Sequence, residues 1–434
     1  MSPILIGVLG LVVLFALLAL GMPIGFAMAL VGFAGFTLII GLKGALVQLA
    51  TVPYVSVASY IMSVLPLFLL MGQLAFVSKL TEGAYYGMHK WLGRLPGGLS
   101  MATIGGCAAF AAVCGSSVAT ASTMSSVAYP EMKRYKYEPK LALGSIAAGG
   151  TLGILIPPSV PFIVYAVFAE ESVGRLFIGG IFPGILLASL FMLVIYARAS
   201  LTPSLGPRGP KTTWREKLTA GKDLWPVAIL ALLVLGGIWG GVFSPTEAGG
   251  IGAFSALLIG LGRKQLTIQN VIFSLKETIK MTSMVFTILI GAMIFNYLIV
   301  VSELSMELAR FVGALPWPPM GILVAILVVY LILGCLMDTV AMTVLTLPIF
   351  LPLLISLNFD LVWFGVVFTI MCEMALITPP IGMNVFVISG VAKDVPMYDI
   401  FRGVIPFWVA MMICEALVVA FPQIALFLPN SMVG

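Results

Sequence analysis

Two stretches of this sequence place oxygen-bearing side chains in surroundings that are otherwise apolar. The first, Cys114-Gly-Ser-Ser-Val-Ala-Thr-Ala-Ser122, sets Ser116, Ser117, Thr120 and Ser122 beside Gly115. The second, Gly334-Cys-Leu-Met-Asp-Thr-Val-Ala-Met-Thr343, carries Asp338, Thr339 and Thr343, and Ser116 and Ser117 lie 222 positions before Asp338 and Thr339. Hydroxyls offer acceptor lone pairs as well as a proton, and glycine lets backbone approach a ligand closely. Serine and threonine also serve simply to join closely packed membrane helices. An ionised Asp at the bilayer centre costs about 2.5–3.5 kcal/mol, so Asp338 is expected to face a partner or a cavity, where Na⁺ or a proton would serve. Capping a helix through a backbone N–H is its competing use, and the two roles are compatible.

Each stretch is followed by paired prolines, in Gly149-Gly-Thr-Leu-Gly-Ile-Leu-Ile-Pro-Pro-Ser159 and in Ala375-Leu-Ile-Thr-Pro-Pro-Ile-Gly-Met-Asn384. Proline removes a helical N–H and clashes with the carbonyl four residues back, which frees carbonyls at that level. Freed carbonyls with nearby hydroxyls make a hard-oxygen cage suited to Na⁺, and half-helix N-termini can meet a carboxylate. Other acids carry weaker signals. Ser244-Pro-Thr-Glu247 fits a capping box; Glu373, close before the second proline pair, is a site candidate; Glu415 suits either the last span or a partner subunit.

The elements that must position these groups follow from composition. Of 434 residues 61% are hydrophobic and only 9% charged, whereas soluble domains run about 25% charged. Apolar stretches long enough to cross the bilayer, about 20 residues each, recur from residue 3 to residue 428, so the chain reads as one membrane domain. Pro3 to Leu20 lacks a basic leader and a small-residue cleavage site and reads as a retained span. The five cysteines lie singly in apolar segments and read as small hydrophobes; with one histidine, His89, and no HExxH or Walker A sequence, an intramembrane enzyme is disfavoured.

An internal repeat organises the whole. Pro23 and Pro245, Pro130 and Pro352, and Pro157-Pro158 and Pro379-Pro380 are each separated by 222 positions, and GRLPGG (Gly93 to Gly98) matches GALPWP (Gly313 to Pro318) at 220. Spans are expected at about 3–20, 23–42, 58–78, 141–168 and 176–197, then 224–243, 245–262, 281–301, 361–391 and 401–428. The pieces at about 99–129 and 318–352 read as re-entrant hairpins, because that choice puts 19 of the 22 basic residues on one side and leaves only Lys43, Arg175 and Arg310 opposite. The loop with Lys90 and Arg94 and the loop with Lys133, Arg134, Lys136 and Lys140 then both lie inside. Five crossings per half is odd, so the halves 1–197 and 224–434 are inverted, joined by a cytoplasmic linker at 198–223, with both termini outside. Segments 43–57 and 263–280 read as amphipathic helices along the interface. The expected fold is an all-α polytopic membrane protein of inverted repeats, an arrangement typical of secondary transporters.

GSSVATAS, GTLGILIPPS, SPTEAGG and ALITPPIGMNVF, in this order and spacing, resemble the large membrane subunit of TRAP (tripartite ATP-independent periplasmic) transporters over essentially the entire chain. The resemblance implies an elevator-type transporter in the bacterial inner membrane, coupled to Na⁺, with a separate small four-span subunit and a periplasmic binding protein that delivers a C4-dicarboxylate, sialic acid or similar carboxylate. Carried over by motif position, Ser116, Ser117, Gly149, Gly153 and Pro157 are expected at one Na⁺ site, and Asp338, Thr339, Ala375 and Thr378 at another. Ser116, Thr120, Ser159, Thr343 and Asn384 are the expected substrate contacts. A binding-protein-independent Na⁺/carboxylate symporter of the same superfamily is the alternative.

Overall fold

Apolar residues without a β-branched alternation fold here into helices alone. The computed structural model describes residues 2–209 and 212–433; Met1, Gly434 and the linker positions Pro210 and Lys211 lie outside them. Among the described residues there is no strand. The first half contains α1 (Pro3–Ala19), α2 (Ile24–Ile40), α3 (Leu42–Val57), α4 (Val64–Val77), α5 (Leu80–Leu92), α6 (Gly98–Cys114), α7 (Ser117–Arg134), α8 (Pro139–Leu155), α9 (Val160–Ala169) and α10 (Val173–Leu201). The second contains α11 (Trp214–Trp239), α12 (Pro245–Gly262), α13 (Ile268–Val301), α14 (Leu304–Gly313), α15 (Pro319–Gly334), α16 (Thr339–Ser356), α17 (Leu361–Ala375), α18 (Met383–Val391), α19 (Met397–Ala420) and α20 (Gln423–Leu426).

Among the described residues six helices of 18 residues or more are apolar enough to cross a membrane, or seven counting α8 and α9 as one span bent by 42°. The expected spans at 3–20 and 23–42 fall on helices of 17 residues each, about 25 Å at 1.5 Å per residue, the short end of the spanning range.

Three boundaries differ from expectation. The loop assigned to Lys90 contains α5, and a second short helix, α14, stands at the corresponding place in the second half. Both are amphipathic and too short to register as spans. The segment 263–280 is no separate interfacial helix: from Ile268 it runs unbroken into the following span as the 34-residue α13, whereas α3 and α4 remain two pieces. The linker is shorter than 198–223, because α10 continues to Leu201 and α11 begins at Trp214 behind a capping box of Thr213 and Glu216.

Packing sorts the helices into two groups. α2 lies along α13, α4 lies against α12 and α13, and α11 packs on α12 and α5. The other group is built around α8 and α17. α8 packs against α6, α7, α10 and α19, and α17 against α8, α10, α15 and α19. α8 is buried from Leu141 to Leu155 and α17 from Val362 to Ala375 without interruption. A helix apolar on all sides belongs in a core, and each of these two ends at a proline pair.

Candidate functional site

The first hairpin, α6 and α7, turns at Gly115, whose φ of +67° is left-handed backbone that glycine adopts without a Cβ penalty. A Cβ there would also stand 2.6 Å from the carbonyl oxygen of Pro158. Ser116 caps α7, accepting the Ala119 N–H at 3.3 Å, and Thr120 donates its hydroxyl to the Ser116 carbonyl at 2.8 Å. The second hairpin, α15 and α16, is capped by Asp338, which accepts the Ala341 N–H at 3.0 Å, and Thr343 donates to the Thr339 carbonyl at 2.7 Å. The helix-cap role expected as an alternative for Asp338 is therefore present. The Ser244–Glu247 capping box of α12 is also formed, with both reciprocal bonds.

The two tips meet at one cavity of about 310 Å³. Gly115, Ser116, Ser117 and Val118 line it from the first hairpin, and Asp338, Thr339 and Val340 from the second. Ile154, Val160 and Pro161 contribute from the first break, Leu376 and Met383 from the second, and Leu69, Met281, Met284 and Val285 from α4 and α13. The cavity thus opens between the two helix groups. Four helices, α7, α9, α16 and α18, begin at residues on or next to its wall. Helix N-termini present unpaired N–H groups and partial positive charge. No lysine or arginine lines the cavity, so those backbone ends are its electropositive feature.

The remaining expected residues lie around the cavity rather than in it. Gly153 sits directly behind the first tip: a Cβ on it would come within 2.6 Å of the Ser116 carbonyl and 2.7 Å of the Thr120 hydroxyl. Gly149 lies one turn earlier on nearly the same face of α8, against Cys107 and Ile104 of α6, which is a packing contact. Pro157 and Ala375 are buried at the two breaks. Thr378 is turned toward a second cavity with Tyr398, Arg402 and Trp408; it donates to the Met374 carbonyl at 2.7 Å and accepts from the Trp408 indole at 3.0 Å. Thr120, Ser159, Thr343 and Asn384 are fully buried. The Ser159 hydroxyl, both amide atoms of Asn384 and the Thr339 hydroxyl have no hydrogen-bond partner. Such orphans are rare in buried positions, and neutral oxygens of this kind fit a hard monovalent cation.

Glu373, a weaker candidate from sequence, has a definite place. Its Oε2 accepts the Ser117 hydroxyl at 2.5 Å, and its Oε1 has no partner. Glu415, equally buried, has neither carboxyl oxygen partnered. Outside the spans, Asp394 anchors the far end of α7, accepting Lys133 at 2.7 Å and the Tyr129 hydroxyl at 3.1 Å. The Lys133 hydrogen bond holds the Asp394 carboxyl below its ordinary range.

Residues 11–424 match the family model described as the tripartite ATP-independent periplasmic transporter, DctM component. Three relatives illustrate the range. The C4-dicarboxylate TRAP transporter large permease protein DctM of Pseudomonas aeruginosa is 33% identical over 86% of either chain. The sialic acid TRAP transporter large permease protein SiaM of Vibrio cholerae is 31% identical over 96% of this chain and 97% of its own. The 2,3-diketo-L-gulonate TRAP transporter large permease protein YiaN of Escherichia coli is 32% identical over 96% and 95%. The crystal structure of the YdaH transporter of Alcanivorax borkumensis superposes with a TM-score of 0.65 over 89% of this chain and 90% of that one at 13% identity, a likeness of fold alone.

Proposed function

The chain belongs to the DctM family of tripartite ATP-independent periplasmic transporter components, a multi-pass membrane permease, and on that premise we propose that it carries out Na⁺-coupled import of a small organic carboxylate across the bacterial inner membrane. The observation that carries this reading is the single cavity bounded by both hairpin tips and four helix starts. Convergent helix N-termini without a basic side chain favour an anion that must be released again, since a fixed lysine or arginine would hold it more tightly. The names of the three relatives each specify a carboxylate substrate, which supports the class.

Na⁺ is cargo in this scheme, and its charge offsets Asp338 so that an anion can approach the second tip. Ser116 and Ser117 with the backbone of Gly149 to Pro157 form one candidate set, and Asp338 and Thr339 with the Ala375 to Thr378 backbone the other. Thr378 serves there through its main chain, its hydroxyl being engaged with Trp408. Ser116, Thr120, Ser159, Thr343 and Asn384 are the proposed substrate contacts. Of these Ser116 lines the cavity directly, and Ser159 and Asn384 have unpartnered polar atoms.

The two halves act as inverted repeats about the linker between Leu201 and Trp214, with both termini periplasmic. The group built on α8 and α17 carries the hairpins and slides against the group built on α13, in an elevator motion. Ion binding biases this equilibrium only through its preference for one state. A separate four-span subunit would hold the α13 group, and a periplasmic binding protein would deliver the substrate. The test is uptake of labelled carboxylates into proteoliposomes holding the chain with its small subunit, with and without an inward Na⁺ gradient and the binding protein. Uptake that needs all components is the expected result; uptake by the chain alone, or uptake indifferent to Na⁺, would overturn the corresponding part.

A further inference from the structure

The bond between Ser117 and Glu373 joins positions 256 residues apart, from the tip of one hairpin to the core helix of the other half. Among the described residues it is the only side-chain hydrogen bond of Glu373, which is fully buried. Ser117 spends its one hydroxyl proton on Glu373, so both of its lone pairs are left to turn toward the cavity that it lines. Glu373 stands two residues before Ala375, at the end of α17, where the second candidate ion set begins.

The contact has no counterpart at the equivalent positions of the other half. The positions 222 away from Ser117 and Glu373 are Thr339 and Thr151. Thr339 has no partner for its hydroxyl, and Thr151 donates within its own helix, to the Ala148 carbonyl at 2.6 Å. One half carries a cross-half tie that the equivalent positions of the other lack.

We propose that Glu373 is a positioning residue that ties the first hairpin tip to α17, orienting Ser117 and making the two ion sets order together. This rests on the Na⁺ reading above. An ion that fixes Ser117 also fixes Glu373 and the helix end behind it, so the second ion finds its set already ordered. Such coupling is reciprocal, and it registers as a sigmoid ion dependence.

The test measures the Tm of the purified full chain against Na⁺ at constant ionic strength, balanced with choline, for wild type, E373Q, E373A and S117A. Wild type is expected to give a sigmoid curve with a Hill coefficient well above one. In E373A the coefficient falls to about one and half-saturation rises about tenfold, whereas E373Q, whose amide oxygen still accepts from Ser117, stays within about twofold of wild type. S117A loses the sigmoid shape as well, but it removes an ion-set hydroxyl together with the tie, so if E373A fails to fold its place is taken by E373M, which fills the same volume and offers Ser117 no oxygen acceptor. A hyperbolic wild-type curve, an E373A curve like wild type, or an E373Q curve like E373A overturns the tie while leaving Na⁺ binding in place. A wild-type Tm equally indifferent to Na⁺ and choline overturns the Na⁺ reading itself, and this inference with it.

Discussion

The two hairpins occupy equivalent positions and solve their packing in opposite ways. In the first, α6 is buried along most of its length, and its tip presses on Gly153 of the core helix. In the second, α15 turns Val324, Val328 and Ile332 outward, each about half exposed, and the small residue lies on the hairpin itself: a Cβ on Gly334 would stand 2.6 Å from the Cβ of Ala375. Where the first half has Ala112 and Gly153, the second has Gly334 and Ala375. A close approach between hairpin and core is present in both halves, through Gly153 of the core helix against the Ser116 carbonyl in the first and through Gly334 of the hairpin against Ala375 in the second. The first hairpin is thus clamped into its surroundings and further tied through Ser117, while the second rests on fewer contacts with an unbonded Thr339 at its tip. Elements with fewer buried apolar contacts open at lower free energy, which makes the second hairpin the easier one to lift.

The sharpest way to break this contrast is to exchange the glycines. G153A drives a methyl into the fixed Ser116 carbonyl and is expected to cost about 1–3 kcal/mol through overpacking, read as a lower Tm together with lost Na⁺-dependent uptake. A375G creates no clash and costs at most about 1 kcal/mol through backbone entropy. Equal effects of the two would mean that the hairpins are held alike.

A smaller effect separates the two roles of Asp338. D338A removes both cap and charge, and loss of the cap alone costs about 0.5–2 kcal/mol. D338N keeps a good cap and removes only the charge. Uptake is expected to fall with both, by tenfold or more for D338N, while its Tm in choline stays near wild type; full uptake by D338N would reduce Asp338 to a cap.

The smallest effect lies at the foot of the first hairpin. Because Lys133 holds the Asp394 carboxyl below its ordinary value, the contact stabilises the fold above the unfolded carboxyl range and is lost as pH falls through the lowered folded value. Both partners are exposed, so the contribution is slight. D394N is expected to leave the Tm at neutral pH almost unchanged and to flatten its decline in the acid range, where an unchanged acid profile would exclude the contact.

Much of this was legible in the sequence, for identifiable reasons. The 222-residue offset between proline pairs and tip residues located both hairpins and both breaks, since proline and glycine act through local backbone constraints that need no tertiary information. The Ser244–Glu247 capping box was legible for the same reason. What escaped was set by contacts between distant residues. The nearby proline pair singled out Glu373 over Glu415, but nothing local named its partner, a hydroxyl from the other half that Glu415 lacks. Thr378 resembled a ligand until Trp408, 30 residues on, took its hydroxyl. Gly149 and Gly153 share one motif and, four residues apart, nearly one helix face, so only the level along the axis at which the hairpin turns, about 6 Å apart for the two, decides which of them receives the tip. The short helices α5 and α14 escaped because amphipathic segments of 13 and 10 residues leave no span-length signal.

The unbroken α13 also acts as a depth gauge. Its 34 residues extend about 51 Å at 1.5 Å per residue, far beyond a hydrocarbon layer of about 30 Å, so the stretch with Lys276, Glu277 and Lys280 must stand among the lipid headgroups. Met281, Met284 and Val285, which line the cavity, follow within about two turns of that level. Measured along this ruler the cavity sits shallow, near one face of the bilayer rather than at its midplane. By the proposed topology that face is the cytoplasmic one, which in the proposed elevator motion corresponds to the inward end of the travel.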